Sequence, residues 1–172
     1  MKSILIAASF AAFLAVTVTA QNTSVYTSTR TSACRTIESN SEEGGSYIGE
    51  CRGVGGYKIQ VLEGDIRQTI NVITPARKRF ELNFWDIFSS FSSIGEKIEW
   101  RVKKGVPVAL IVRYNVADPE GAKKDKSYLF VAKISKTASC VTDVVDPGAK
   151  QNETARQLAD ASASKPCRLE NQ

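Results

Sequence analysis

The chain has 172 residues, with 23 lysines and arginines against 18 acidic residues and no histidine. Without an imidazole the usual serine–histidine and cysteine–histidine nucleophilic arrangements are excluded, as is the commonest metal ligand. A net charge of +5 suits an anionic partner, although most basic surface of this extent is simply solvated.

The first predicted element is a leader. Lys2 precedes an apolar run from Ile4 to Val18 that is too short for a comfortable membrane span. Val18-Thr19-Ala20 places small residues at the −3 and −1 positions of a cleavage site before Gln21. Residues 1–20 are therefore read as a signal peptide, and no later stretch is apolar and long enough to be a transmembrane segment. The mature chain is the length of one domain that buries about 70% of its unfolded surface. Export also argues against a nucleic-acid partner.

Cys34, Cys51, Cys140 and Cys167 all follow the leader. An even count in an exported chain points to disulfides. Three pairings are possible, the simplest being Cys34–Cys51 with Cys140–Cys167. Each such loop contributes about 3 kcal/mol in the chain-entropy model. Zinc is disfavoured, because the chain has neither a C-x-x-C pair nor a histidine.

Residues 21–36 are rich in Ser and Thr, show little periodicity, and read as a flexible lead-in to a single domain over 37–172. Asn22-Thr23-Ser24 and Asn152-Glu153-Thr154 match the glycosylation sequon. Glu42-Glu43-Gly44-Gly45 and Gly53, Gly55, Gly56 mark turns. A glycine-rich loop that cradles phosphate opens a helix, whereas the second of these leads into Tyr57–Leu62, an alternating strand. Glu63-Gly64-Asp65 is a predicted turn into a strand over Ile66–Ile73, with Ile66, Ile70 and Val72 inward and Pro75 beyond its end. The basic run Arg77, Lys78 and Arg79 follows, then a short strand carrying Phe80, Leu82 and Phe84. Trp85 to Phe91 reads as a single turn or loop.

The central element is a hairpin over Ile98–Val116. A three-residue loop, Lys103-Lys104-Gly105, puts glycine where φ > 0 is needed. It sets Val102 opposite Val106, Trp100 opposite Val108 and Ile98 opposite Leu110. The near-continuous apolar run over 106–114 marks a strand covered on both sides. After a polar loop containing Lys123, Lys124 and Lys126, two more strands are expected at Tyr128–Ile134 and Cys140–Val145. A helix over 149–164 carries Ala155, Leu158, Ala159 and Ser162 on one face and stops before Pro166. The expected fold is mainly β, a β-rich α+β domain: an antiparallel sandwich or barrel with one C-terminal helix, stapled by disulfides.

Few residues are candidates for chemistry. Glycoside hydrolysis needs two opposed carboxyls, and the candidates are Glu63 with Asp65, or Glu99. The first two also suit a turn, and Glu99 also suits an ion pair with Arg101 or Arg113. Asp143 and Asp146 would face opposite sides of a strand, so no metal site is expected, and nothing in the chain calls for a cofactor. Trp85, Phe88 and Phe91 are the candidate binding surface, because exposed aromatics stack on sugars or anchor a protein. The same residues could instead plug one end of the sheet. Arg77, Lys78 and Arg79 form one positive rim with Lys103–Lys104 and Lys123–Lys126 if all three loops lie at one end.

Glu43-Gly44-Gly45-Ser46, Cys51, Gly55-Gly56-Tyr57, Glu63-Gly64-Asp65-Ile66-Arg67, Ser93-Ile94-Gly95, Ile98-Glu99-Trp100-Arg101 and Cys140 with Val145-Asp146 together resemble a pattern in small exported proteins of alphaproteobacteria. The resemblance spans most of the mature chain and implies a periplasmic or extracellular location, in which the two sequons are accidental. It rests on turns and core positions and transfers no functional residue. The expected function is that of a non-enzymatic periplasmic or secreted binding protein for an envelope protein or glycan, an inhibitor of an envelope hydrolase being one form. The alternatives are a carboxylate-based hydrolase of an envelope polysaccharide and an envelope structural or stress protein.

Overall fold

A computed structural model describes residues 22–42, 44–118, 120–121 and 124–169. The expected signal peptide, 1–20, lies outside the described residues, as do Glu43 and Lys123. Ten strands run in chain order: β1 Thr23–Ser28, β2 Cys34–Asn40, β3 Ser46–Arg52, β4 Lys58–Gly64, β5 Arg67–Ile73, β6 Arg79–Glu81, β7 Ser92–Lys103, β8 Val106–Val116, β9 Lys126–Ile134 and β10 Ser139–Val145. One helix, α1, covers Gln151–Asp160.

The pairings divide the strands into two halves. In one, β10, β9, β8 and β7 lie side by side, with β1 on the other edge of β7. In the other, β2, β3, β4 and β5 lie side by side, with β6 on the other edge of β5. The halves join at a single parallel pair, Arg67 with Ser92, and every other pairing is antiparallel. Ile59, Val61, Ile70 and Val72 from one half share a buried cluster with Ile98, Trp100, Leu110, Val112, Tyr114 and Phe130 from the other. The sheet thus folds upon itself as a sandwich, as its alternating strands predict.

β8 explains the third layer. Leu110, Val112 and Tyr114 point into the sandwich, while Ala109 and Ile111 point out to meet Ala155 and Ala159 of α1. A strand covered on both faces needs apolar residues throughout, which accounts for the unbroken run. The two alanines let the helix approach the sheet closely. The helix is shorter than expected, since Ser162–Ser164 forms a separate 3₁₀ turn.

Two disulfides form, Cys34–Cys51 with Cα atoms 4.2 Å apart and Cys140–Cys167 with 5.6 Å. The first links directly opposed residues of β2 and β3. The second ties the segment after the helix to β10, where Arg168 N–H also donates to the Val141 carbonyl at 2.7 Å.

Three local expectations need correction. The central hairpin closes through two residues, Lys104 and Gly105 (φ 50° and 79°), with Lys103 opposite Val106. A bulge at Val108 then sets Trp100 opposite Leu110 and Ile98 opposite Val112, each two residues beyond the expected partner but on the same face. The extra residue keeps both apolar faces in phase, which a regular two-residue hairpin could not do. The β4–β5 turn is Asp65-Ile66, so Ile66 sits in the turn at φ 59° and is 59% exposed instead of facing inward. The 21–36 segment is no loose lead-in where it is described. β1 pairs with β7 along its whole length, and Trp100 Nε1 donates to Thr27 Oγ1 at 2.8 Å.

Candidate functional site

Strand register builds a cationic groove on the outer face of β2–β6. Across the strands, Arg35 is opposite Glu50, Glu50 opposite Gln60, and Gln60 opposite Asn71, which faces Glu81. Two residues along, Arg52 is opposite Lys58, Lys58 opposite Ile73, and Ile73 opposite Arg79. Opposed residues share a face, so Arg35, Arg52, Lys58 and Arg79 project together. Arg77 joins them from the turn after β5, and a groove of about 820 Å³ is lined by Arg35, Glu50, Lys58, Arg77 and Arg79 over Ile73 and Pro75.

The groove is charged but unbalanced. Glu50 meets Lys58 at 2.7 Å and Arg35 at 3.2 Å. The Lys58 hydrogen bond, helped by Arg35, holds its carboxyl below the ordinary range against the effect of burial. Arg79 lies 3.4 Å from Glu81. Arg77 makes no ion pair with any described residue, and its backbone is held at φ 64° with its N–H donating to the Thr74 carbonyl at 2.9 Å. The glycine in the groove wall is Gly56 (φ 80°), where a Cβ would sit 3.4 Å from Pro75.

The predicted basic run therefore splits. Arg77 and Arg79 line the groove, whereas Lys78 donates to the Thr137 carbonyl at 3.2 Å and lies 4.6 Å from the centre of the Phe80 ring. The expected single rim is also corrected. The Lys104–Gly105 turn shares the groove's end of the sheet, through the Gly55–Pro107 contact. Lys126 pairs with Val116 at the opposite end, which separates the β8–β9 loop from the other two.

A second cavity, about 600 Å³, opens between the two halves near the connection from β1 to β2. Its floor is Tyr47, Val61, Gln68 and Ile94. Tyr47 lies across Gly49, where a Cβ would meet its Oη at 2.2 Å. That hydroxyl is buried and has no hydrogen-bond partner. Gln68 Oε1 accepts from Ile94 N–H at 2.9 Å, so its amide nitrogen is turned to donate to Glu63. Glu96 also lines this cleft, with its Oε2 accepting from Arg30 Nε at 2.7 Å. A third cavity, about 460 Å³, lies beside the Cys34–Cys51 disulfide.

The expected carboxylate sets are not assembled. Glu63 faces the cleft, Asp65 pairs with Arg67 at the exposed β4–β5 turn, and Glu99 lies on the far side of the other half beneath α1. There Glu99 accepts hydrogen bonds from Arg156 Nε at 2.8 Å, Ser24 and Tyr26. Burial pushes its carboxyl up, but the hydrogen bonds from Arg156 and Ser24 and the Arg156 charge outweigh this and hold it below the ordinary range. Arg101 bridges to Asp160 through two bonds of 2.8 Å, and Arg113 turns instead to Ser127 at 2.8 Å. No group of three potential metal-ligating side chains occurs among the described residues.

The aromatic candidates diverge too. Phe88 packs against Tyr128 with ring centres 4.4 Å apart, plugging one end of the core with Phe84, Tyr114 and Phe130. Trp85 is half-buried, and Phe91 is 52% exposed. The sequence reading missed Arg35, Lys58, Tyr47 and Gln68. Their signal was same-face alternation on β2–β5, legible only once the register is known. Searches against family models, curated proteins and solved structures found no match.

Proposed function

We propose that this is an exported, non-enzymatic binding protein of the periplasm or extracellular space, and that its groove holds an acidic polysaccharide of the cell envelope. One observation carries the reading: Arg35, Lys58, Arg77 and Arg79 converge on one groove whose only lining carboxylate is Glu50. Guanidinium forks match carboxylate and sulfate groups in a way that a solvated lysine loop does not. The two disulfides suit an oxidising compartment, where such polymers are the abundant polyanions and nucleic acid is not. Membership of the exported alphaproteobacterial group belongs to this same proposal.

The test is retention of oxidised protein on immobilised polygalacturonate, with neutral dextran as control. The expected result is retention on the acidic polymer alone, weakening as salt rises, and lost in Arg77→Ser/Arg79→Ser. Equal behaviour on both matrices would overturn the reading. Turnover of the polymer would overturn its non-enzymatic part.

A second reading, an inhibitor of an envelope hydrolase, is favoured by the β4–β5 turn. Ile66 is held exposed at φ 59°, beside exposed Phe91, and its carbonyl accepts from Ser92 N–H at 3.0 Å. A β-branched residue at positive φ is an outlier, and such strain gathers at binding sites. Capture of a hydrolase from envelope extract, lost in Ile66→Gly/Phe91→Ser, is the outcome that would favour it.

A further inference from the structure

We infer that the polysaccharide is bound as an extended chain along three joined cavities, with its acidic groups in the cationic groove and a further sugar seated between the two halves of the sandwich. The inference rests on the proposed function and adds the mode of binding and a second subsite.

Shared lining residues carry the continuity. Arg35, Glu50 and Lys58 line both the groove and the cavity beside the disulfide. Ser32 lines both that cavity and the inter-sheet cleft. The turn Thr31–Ala33 is therefore a saddle over which one track passes.

The chemistry changes along the track. The groove presents cations, which select carboxylate or sulfate. The cleft presents Glu63 and Glu96 against Arg30, and Arg30 is already committed to Glu96. It offers no spare cation for an anionic group. It offers instead an acceptor on Glu63, oriented by Gln68, and a buried Tyr47 hydroxyl without a partner. Both call for the hydroxyls of a sugar, and the tyrosine ring lining the cleft is a suitable platform for a sugar's C–H face. A ligand that satisfies both ends of the track carries anionic groups and hydroxyls on one chain. Because Glu63 is locked by Gln68, and Gln68 by the Ile94 backbone, the subsite is organised before the ligand arrives, which reduces the ordering cost of binding.

The experiment is calorimetric titration with hyaluronan oligosaccharides of increasing length, in which uronate and uncharged sugars alternate. Three variants are compared with the natural sequence: Arg77→Ser/Arg79→Ser in the groove, Tyr47→Phe/Glu63→Gln in the cleft, and Ser32→Trp, which blocks the saddle from an exposed position. Affinity is expected to rise about tenfold from short to long oligomers. The cleft variant and Ser32→Trp should each erase that rise while leaving short oligomers unaffected, and the groove variant should weaken every length. Affinity independent of length, or a rise that survives both the cleft change and the saddle block, overturns the extended mode and leaves the groove reading intact. Failure of every oligomer to bind overturns the groove reading, and this inference with it.

Discussion

Two clusters of charge lie on opposite faces of the molecule. Beneath α1, Glu99 and Asp160 face Arg101 and Arg156, two anions and two cations. Glu99 and Arg101 are only 8% and 6% exposed, and Ser24 links them by donating to one and accepting from the other. On β2–β6, five cations are open to solvent against Glu50 and Glu81. The first cluster is balanced, and its buried pair, Glu99 and Arg101, is bonded to Ser24, Arg156 and Asp160. The second leaves Arg77 without an ion pair among the described residues, and its groove lining is net positive. Balance and saturation, not the number of charges, separate a structural network from a surface able to bind.

The sharpest way to break this comparison is to remove one member from each cluster. Glu99→Gln leaves Arg156 without its anion while Arg101 keeps Asp160, and with Arg156 41% exposed the loss falls at the low end of the range of about 3–5 kcal/mol for breaking a buried pair. Urea unfolding should show that loss. Opening the Cys34–Cys51 clip with Cys34→Ser/Cys51→Ser should cost about 3 kcal/mol for a loop of this length, read by the same method under oxidising conditions. Little change would mean that β2 is held by its ladder alone.

Acid should act on the buried cluster first. The Glu99 and Asp160 carboxyls lie below their ordinary range because the hydrogen bonds and charge of Arg156 and Arg101 outweigh desolvation. Groups whose folded pKa is depressed stabilise the fold fully above their unfolded values, about 4, and lose that contribution as pH falls through the folded values. The melting temperature should therefore be flat above about pH 5 and fall below about pH 4. Glu99→Gln should flatten that fall, and an unchanged slope would remove Glu99 from the account.

Ile66→Gly sharpens the comparison from the side of backbone strain. Relief of a left-handed conformation, about 1–2 kcal/mol, exceeds the roughly 0.4–1 kcal/mol entropy cost of a new glycine. A net gain of about 0.5–1 kcal/mol is expected in chemical unfolding. The smallest effect belongs to Arg77→Ser/Arg79→Ser, which should move stability by no more than about 0.5 kcal/mol while abolishing retention on the acidic polymer.

Elements whose burial alternates or runs unbroken were legible in the sequence. The β7–β8 hairpin and the helix under β8 follow from patterns within one segment, whereas the even cysteine count pointed to disulfides and left their pairing open. The Val108 bulge did not, because it serves the opposing strand and leaves no local mark. β1 was hidden because Thr, Ser, Val and Tyr alternate there without a strong apolar face, and its side chains meet polar partners, Glu99, Arg101 and the indole N–H of Trp100. The candidate site was half legible. Arg77 and Arg79 stood out as a run, but Arg35 and Lys58 reach them only through the register of four strands. The same register turned Lys78 into a structural tie.

The contacts of β1 also set the order in which the fold can close. Asn22 donates to Asp160 across 138 residues of chain, and Arg156 donates to Tyr26 across 130. A chain emerging from its N-terminus has no partner for β1 until β7 arrives, and no completed charge network until α1 follows. Contacts of such separation are made late and slowly. The first strand must wait for the last helix, so the domain closes only when nearly the whole chain is present, and a chain cut short before Gln151 leaves Glu99 and Arg101 without the helix that covers them.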